Sequence, residues 1–385
     1  MDERDLVWMR KALDEAAKGR GRVEPNPMVG AVVVQEDRLI AVGHHQRFGG
    51  PHAEVLALEA AGDQARGATL YVTLEPCCHF GKTPPCTEAI LRAGVARVVA
   101  AHRDPFPKVA GGGLARLREA GVEVAAGVGA AAAVDLNAPY LKRVLTGSPY
   151  VIAKWAMTLD GKTAAAGGDS RWISSPESRA EVHAVRGRVD GIVVGVGTVL
   201  ADDPQLTARP PGLRSPTRIV MDSRGRTPLD SHLARTAREV ATLIVVGAEA
   251  PSEAIDALRA SGCEVLSLPE ARRPHVDRLL SELGRRGMTN VLLEGGGVVL
   301  AAFFEIGAVD EVDVFIAPLI EGGDHARTAV RGVGRRLMSD SLRLQNVRRS
   351  LVADDVRIQG EVSHQWREHL DDRLTSCPGQ VANPT

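Results

Sequence analysis

The sequence predicts an α/β protein of two domains. Three observations carry this. Short apolar runs alternate with stretches of helical period, and the alternation restarts after the breakers Thr146-Gly147-Ser148-Pro149. A chain of 385 residues, 44% apolar and 25% charged, is also long enough for more than one buried core.

Leu6, Val7, Met9, Leu13 and Ala17 fall on one face of an expected first helix, which Gly19 and Gly21 end. Val29 to Val34 and Leu39 to Val42, joined by the polar pair Glu36-Asp37, read as a hairpin. His52 to Ala61 reads as a helix stopped by Gly62. The run 69–73 reads as a strand leading into Glu75-Pro76-Cys77. Cys86 opens a helix that runs through Ala93 to the stop at Gly94. Strand Val95 to Ala101, helix Leu114 to Ala120 and strand Val122 to Ala126 follow. In the second half, strands are expected at Val151 to Ala156, Gly191 to Val194, Arg218 to Asp222, Thr242 to Val246, Asn290 to Glu294 and Glu311 to Ile316. Helices are expected at Pro176 to Arg186 and Val298 to Ile306. The expected domains are 1–146 and 150–362. Residues 363–385, with Cys377, read as a loose polar tail.

Composition narrows the function classes. With 47 basic against 48 acidic residues the chain has no field to collect nucleic acid. No apolar run reaches the roughly 20 residues of a membrane span. The charged start Met1-Asp2-Glu3-Arg4-Asp5 lacks a signal-peptide core, so a cytoplasmic chain is expected. Small-molecule partners are expected, and a homo-oligomer is compatible with the sequence. Five cysteines are too few for a secreted disulfide scaffold, yet Cys77, Cys78 and Cys86 cluster, which asks for metal or redox chemistry.

Pro51-His52-Ala53-Glu54, Glu75-Pro76-Cys77 and Pro84-Pro85-Cys86 supply it. One imidazole and two thiolates suit zinc and leave its fourth tetrahedral position for a water, whose pKa the metal lowers toward about 7. Glu54, two residues beyond His52, does not share its helix face and can carry protons rather than compete as a ligand. Cys77 and Cys86 are each expected to precede a helix, whose N-terminus favours the thiolate. The order H-x-E then P-C follows the zinc nucleobase deaminase pattern, except that Cys86 replaces a thiol expected three residues after Cys77. Cys78 and His79, adjacent to Cys77, are expected to point elsewhere. Asn26 could read a pyrimidine, the alternative for its segment being a plain turn, and His44, more than His45, could contribute, the alternative being a solvated turn histidine.

These segments resemble one family, the bifunctional riboflavin-biosynthesis deaminase–reductases. The resemblance rests on Pro25-Asn26-Pro27-Met28-Val29-Gly30, Pro51 to Val55, and Thr73 through Gly81-Lys82-Thr83-Pro84-Pro85-Cys86, whose long spacer between cysteines is that family's habit. Asp104-Pro105-Phe106-Pro107-Lys108-Val109 is similar to a family stretch with Asn in place of Phe106. Cys78 and Phe80 stand where Ser and His are frequent. The likeness continues through Leu159-Asp160-Gly161-Lys162, Ser170 to Ser175, Gly197 to Thr207 and Leu293-Glu294-Gly295-Gly296-Gly297, covering roughly residues 1 to 360. It implies a cytidine-deaminase-like domain followed by a dihydrofolate-reductase-like domain, zinc and NADPH as cofactors, and phosphorylated pyrimidine substrates.

A glycine turn between strand and helix can bring backbone N–H groups to a phosphate, although Glu294-Gly295-Gly296-Gly297 lacks the G-x-G-x-x-G spacing. By resemblance, Gly296, Gly297, Val298, Val299, Leu300, Ala301 and Ala302 lie along the nicotinamide cofactor. Ala156, Trp172, Thr198, Asp202 and Ser223 touch it too. Trp172 could pack on an aromatic ring, the alternative being a core position. Ser170, Arg186, Leu206, Arg209 and Glu294 are the implied substrate contacts, with the two arginines gripping phosphate. Lys154, Asp202 and Glu294 are the candidates to protonate the opening sugar.

Overall fold

The computed structural model describes residues 2–363 and 365–368. They form two compact units that divide after Gly147, and the short helix at 365–368 belongs with the first. The rest of the expected tail, Cys377 included, lies outside the described residues.

The first unit runs α1 (Glu3–Ala17), β1 (Gly30–Gln35), β2 (Arg38–His44), α2 (Ala53–Ala61), β3 (Thr69–Val72), α3 (Cys86–Ala93), β4 (Arg97–Ala100), α4 (Gly112–Glu119), β5 (Glu123–Ala126), α5 (Ala130–Leu136) and α6 (Ala138–Thr146). Its sheet has the order β2-β1-β3-β4-β5, antiparallel at β1–β2 and β1–β3 and parallel beyond. Ala53, Ala57, Ile90, Leu114 and Leu117 pack α2, α3 and α4 on one face, and Met9, Ala12 and Ala133 pack α1 and α5 on the other.

The first helix buries the expected Met9, with Leu6 and Leu13 packed beside it, but Ala17 is exposed and the buried stripe is wider than expected. Asp5, Met9, Ala12, Glu15 and Ala16 turn inward, while Val7 is 55% exposed. The inward stripe was masked by a charge. Asp5 is satisfied by Arg97, at 2.8 and 2.9 Å, and by the Tyr71 hydroxyl at 2.8 Å, so a carboxylate occupies a core-facing position. Gly43 lets α2 lie directly on β2, because a Cβ there would sit 2.6 Å from Ala57 N. Gly113 does the same for α4, where a Cβ would collide with Pro76 O and approach Glu75 Cγ to 3.3 Å. We predict that Gly113→Ala costs about 2–3 kcal/mol, the upper part of the overpacking range, because the obstacle is backbone. Denaturant unfolding of the variant checks this.

The second unit runs β6 (Tyr150–Thr158), β7 (Lys162–Ala164), α7 (Pro176–Arg186), β8 (Gly191–Gly195), α8 (Val196–Asp202), β9 (Thr217–Met221), α9 (His232–Arg235), β10 (Thr242–Val246), α10 (Ser252–Ala260), β11 (Glu264–Ser267), α11 (Val276–Arg285), β12 (Asn290–Glu294), α12 (Gly297–Glu305), β13 (Glu311–Ala317), β14 (Arg327–Thr328), β15 (Leu344–Val352) and β16 (Asp355–Val362). The main sheet has the order β11-β10-β9-β8-β12-β6-β13-β16-β15. It is parallel from β11 to β13, and the last two strands are antiparallel. Strands such as Thr-Leu-Ile-Val-Val at β10 are buried along their whole length, as a sheet covered on both faces requires. Among the described residues no helix is long and apolar enough to cross a membrane.

Candidate active sites

In the first unit two helix starts converge. His52 is the N-cap of α2 and Cys86 is the first residue of α3. His52 Nδ1 lies 3.1 Å from Cys86 Sγ and 3.5 Å from Cys77 Sγ, and the three donor atoms all fall within 4.8 Å of one another. Cys77 does not precede a helix of its own. It sits in the loop after β3, and its Sγ accepts the Cys86 N–H at 3.3 Å, so one helix N-terminus serves both thiols. Neither Cys78 nor His79 joins the cluster.

The donor set fits a tetrahedral zinc. Bonds of about 2.3 Å to sulfur and 2.0–2.1 Å to nitrogen put N and S roughly 3.6 Å apart. Hydrogen bonds from Cys86 and His52 hold Cys77 down to about 4, against burial, while its bond to Cys77 together with burial pushes Cys86 well up. The pair thus shares a negative charge that a cation would satisfy. His52 Nε2 reaches Thr83 Oγ1 at 3.3 Å, which frees Nδ1 to be the donor atom. Thr83 is a contact that the sequence pattern alone does not single out.

Glu54, in the first turn of α2, is 3% exposed, and burial pushes its carboxyl up. Asn26 Nδ2 meets His45 Nε2 at 3.1 Å, and His45 Nδ1 meets Pro51 O at 2.9 Å. A carbonyl only accepts, so Nδ1 carries the proton and Nε2 accepts from Asn26. The His45 ring stands edge-on to His52 at 5.4 Å. This corrects the expectation for His44, which turns to Glu15 on α1, 3.6 Å away. Glu75, also missed, is buried and accepts from Asp104 N, Gly111 N and Leu114 N at 3.1, 2.9 and 3.0 Å. Two residues before Cys77, it ties down the segment from Asp104 to Leu114. Phe106 is tolerated there because its backbone N–H, not its side chain, bonds Asp104, at 2.9 Å.

In the second unit a cleft of about 1220 Å³ opens at the carboxyl ends of the parallel strands. It is lined by Ala156, Ser170, Trp172, Arg186, Thr198, Asp202, Leu206, Arg209, Ser223, Glu294, Gly296, Gly297, Val298, Val299, Leu300 and Ala302. Ala301 is the exception. It lies 4% exposed in the core, turned away from the cleft side of α12. Gly295 and Gly296, both at positive φ of 78° and 79°, make the turn from β12 into α12. Trp172 is 66% exposed, which removes the core alternative, and the Arg179 guanidinium lies 4.2 Å from its ring centroid.

Arg186 is not a free phosphate grip. Its fork closes on Glu294, Nε to Oε1 at 2.7 Å and Nη2 to Oε2 at 2.6 Å. Burial alone would raise Glu294, but the charge and hydrogen bonds of Arg186, aided by Lys154, hold it down to about 2. Lys154 is pushed down by burial. Arg209 remains exposed, steadied by Gln205 Oε1 at 2.8 Å and Thr207 Oγ1 at 3.3 Å.

Residues 149–356 match the family described as the RibD C-terminal domain, and residues 2–102 match the cytidine and deoxycytidylate deaminase zinc-binding region. The riboflavin biosynthesis protein RibD of Aquifex aeolicus is 41% identical over 357 residues, covering 92% of this chain and 98% of that one. The chain belongs to the RibD family. RibD of Escherichia coli is 42% identical over 335 residues, 83% of this chain and 89% of the relative. Among solved structures, Acinetobacter baumannii RibD superposes with a TM-score of 0.83 at 36% identity, covering 94% of this chain and 99% of that one. The Thermotoga maritima diaminohydroxyphosphoribosylaminopyrimidine deaminase/5-amino-6-(5-phosphoribosylamino)uracil reductase gives 0.81 at 35%, with the same coverage of 94% and 99%. As a RibD-type chain it is a bifunctional deaminase and reductase acting on a pyrimidine intermediate of riboflavin biosynthesis, built from a cytidine-deaminase-like and a dihydrofolate-reductase-like domain.

Proposed function

We propose that the first unit removes the 2-amino group of 2,5-diamino-6-(5-phosphoribosylamino)pyrimidin-4-one, and that the second reduces the ribosyl chain of the product to ribityl with NADPH. The observation that carries the reading is the convergence of His52, Cys77 and Cys86 with the buried Glu54 beside them. These three residues would hold zinc, which when bound supplies a hydrolytic nucleophile at neutral pH. Glu54 takes a proton from the attacking water and returns one to the amine nitrogen. A C–O bond forms, the C–N bond breaks and ammonia leaves. Asn26 orients the ring, its amide fixed by His45 and its Oδ1 without a partner among the described residues.

In the second unit NADPH supplies the hydride when bound. The turn at Gly295–Gly297 would offer backbone N–H groups to a cofactor phosphate, and Trp172, Thr198, Asp202 and Ser223, which line the same cleft, would help hold the cofactor. Arg209 takes the substrate phosphate, with Ser170 and Leu206 beside it, while Arg186 holds Glu294 toward the substrate. Glu294, kept ionised, is a poor acid at neutral pH. Lys154, with its pKa lowered by burial, is the better proton donor to the opened sugar.

Chelation tests the division of labour. We expect about one zinc per chain, and its removal should abolish ammonia release. Reduction of supplied 5-amino-6-(5-phosphoribosylamino)uracil by NADPH should continue. Loss of both activities would contradict the assignment of each to its own unit.

A further inference from the structure

Arg226 and Arg273 stand at one end of the reductase cleft, where it continues into a smaller pocket that both also line. We infer that this end reads the 2′-phosphate of NADPH and that these two arginines set the preference for NADPH over NADH. The inference rests on the cofactor reading above.

Position is the first argument. Ala156 lies in β6, Gly296 follows β12, Thr198 follows β8 and Ser223 follows β9. Those strands are neighbours in the order β9-β8-β12-β6, so the proposed cofactor contacts step across three strand spacings, roughly 14 Å. Hydride transfer requires the nicotinamide beside the substrate, near Lys154 in β6 and Glu294 in β12. The adenosine end therefore lies past β9. Arg226 follows β9, and Arg273 follows β11, two strands further out.

Charge is the second. Four arginines and His275 border the smaller pocket. Arg224 and Arg272 are both taken by Glu249, at 3.2 and 2.7 Å. Arg226 and Arg273 have no hydrogen-bond or ion-pair partner for their side chains among the described residues. Glu305 is the other carboxylate on the lining. Two unpaired guanidinium forks facing one pocket suit a phosphomonoester dianion, and an arginine is a known means of accommodating this phosphate. The hydroxyl of NADH offers them no charge.

Both side chains start from fixed backbone. The Asp222 carboxylate accepts from Thr227 N at 2.7 Å and from Thr227 Oγ1 at 2.8 Å, closing the turn that carries Arg226. Ala248 N donates to Ala271 O at 3.0 Å, holding the segment before Arg273 against β10. A third unpaired arginine, Arg331, sits elsewhere. Its Cγ is 2.7 Å from where a Cβ on Gly297 would lie, at the start of α12, beside the diphosphate common to both dinucleotides.

The test is direct binding to the zinc-loaded full chain, titrating NADPH, NADH and 2′,5′-ADP by fluorescence or calorimetry. Wild type should bind NADPH at least about tenfold more tightly than NADH. Arg226→Gln and Arg273→Gln should each weaken NADPH and 2′,5′-ADP about tenfold, the worth of a charge-assisted contact, and change NADH less than about twofold. Arg331→Gln should weaken both dinucleotides alike. Both substituted side chains are exposed and unpaired, so unfolding midpoints should match wild type. An unchanged NADPH-to-NADH ratio in both variants overturns the inference. So does an equal loss for both dinucleotides, which would assign the arginines to the shared diphosphate. Wild type binding neither dinucleotide would instead remove the cofactor reading on which the inference stands.

Discussion

Glu54→Gln should slow ammonia release by roughly two to four orders of magnitude, the usual worth of a positioned acid–base group, while zinc stays bound. Glutamine preserves the size of the side chain in a site where Glu54 is 3% exposed, and His52, Cys77 and Cys86 are left intact. What disappears is the ability to take a proton and give it back. Burial raises the Glu54 carboxyl above its ordinary value, the direction that helps a carboxylate hold a proton between taking it and giving it back. Stopped assays of ammonia, paired with zinc analysis of the same preparation, check it. Near-normal turnover with zinc in place would remove Glu54 from the proton path.

The second large effect is on stability. Arg186→Met leaves the Glu294 carboxylate buried without its partner, and breaking such a pair costs about 3–5 kcal/mol. The dependence on pH should change sign. In the wild type Glu294 is depressed from 4.5 to about 2, so its stabilisation is complete above about 4.5 and is lost as the pH falls toward 2. Without Arg186 burial dominates and raises the carboxyl, so stability should instead fall as the pH rises through and above 4.5. Arg186→Met with Glu294→Leu should recover part of the loss, because the buried carboxylate goes with its guanidinium partner, while Lys154 loses the neighbouring negative charge. Urea unfolding of the three proteins across this range checks both the size and the sign.

Local signals were legible in the sequence where punctuation was strong. Cys86–Ala93, bounded by Pro85 and Gly94, and Pro176–Arg186, opened by the capping Ser175, fall where the residues say they should. Helix α11 carried an equally plain stripe, Val276, Leu279, Leu280 and Leu283, which the sequence reading did not use. The hairpin β15–β16 was hidden for a physical reason. Its outer strand carries exposed residues such as Arg348 and Arg349 and has no apolar alternation, as suits an edge that must not pair further.

The choice between His44 and His45 was decided by strand alternation. Gly43 packs under α2, so His44 points the other way, to α1, and His45 comes back to the α2 side beside His52. The alternation is carried by the sequence, and the close approach of α2 at Gly43 fixes which side each histidine takes. The pairing of Arg186 with Glu294 was not available, because the two lie 108 residues apart and only the sheet order brings them together. Ala301 is likewise the residue of the 296–302 run that α12 turns from the cleft, which the helix's orientation on the sheet decides.

Two chemistries in series on one chain are tested most directly by one balance. Zinc-loaded protein is given 2,5-diamino-6-(5-phosphoribosylamino)pyrimidin-4-one, with and without NADPH, and ammonia and oxidised cofactor are counted together. Without NADPH, ammonia should still appear and the aminouracil ribosyl phosphate should accumulate. With it, cofactor oxidation should follow ammonia release and reach the same molar amount. Cofactor oxidation without ammonia, or ammonia never followed by oxidation, would contradict the sequence of reactions assigned to the two sites.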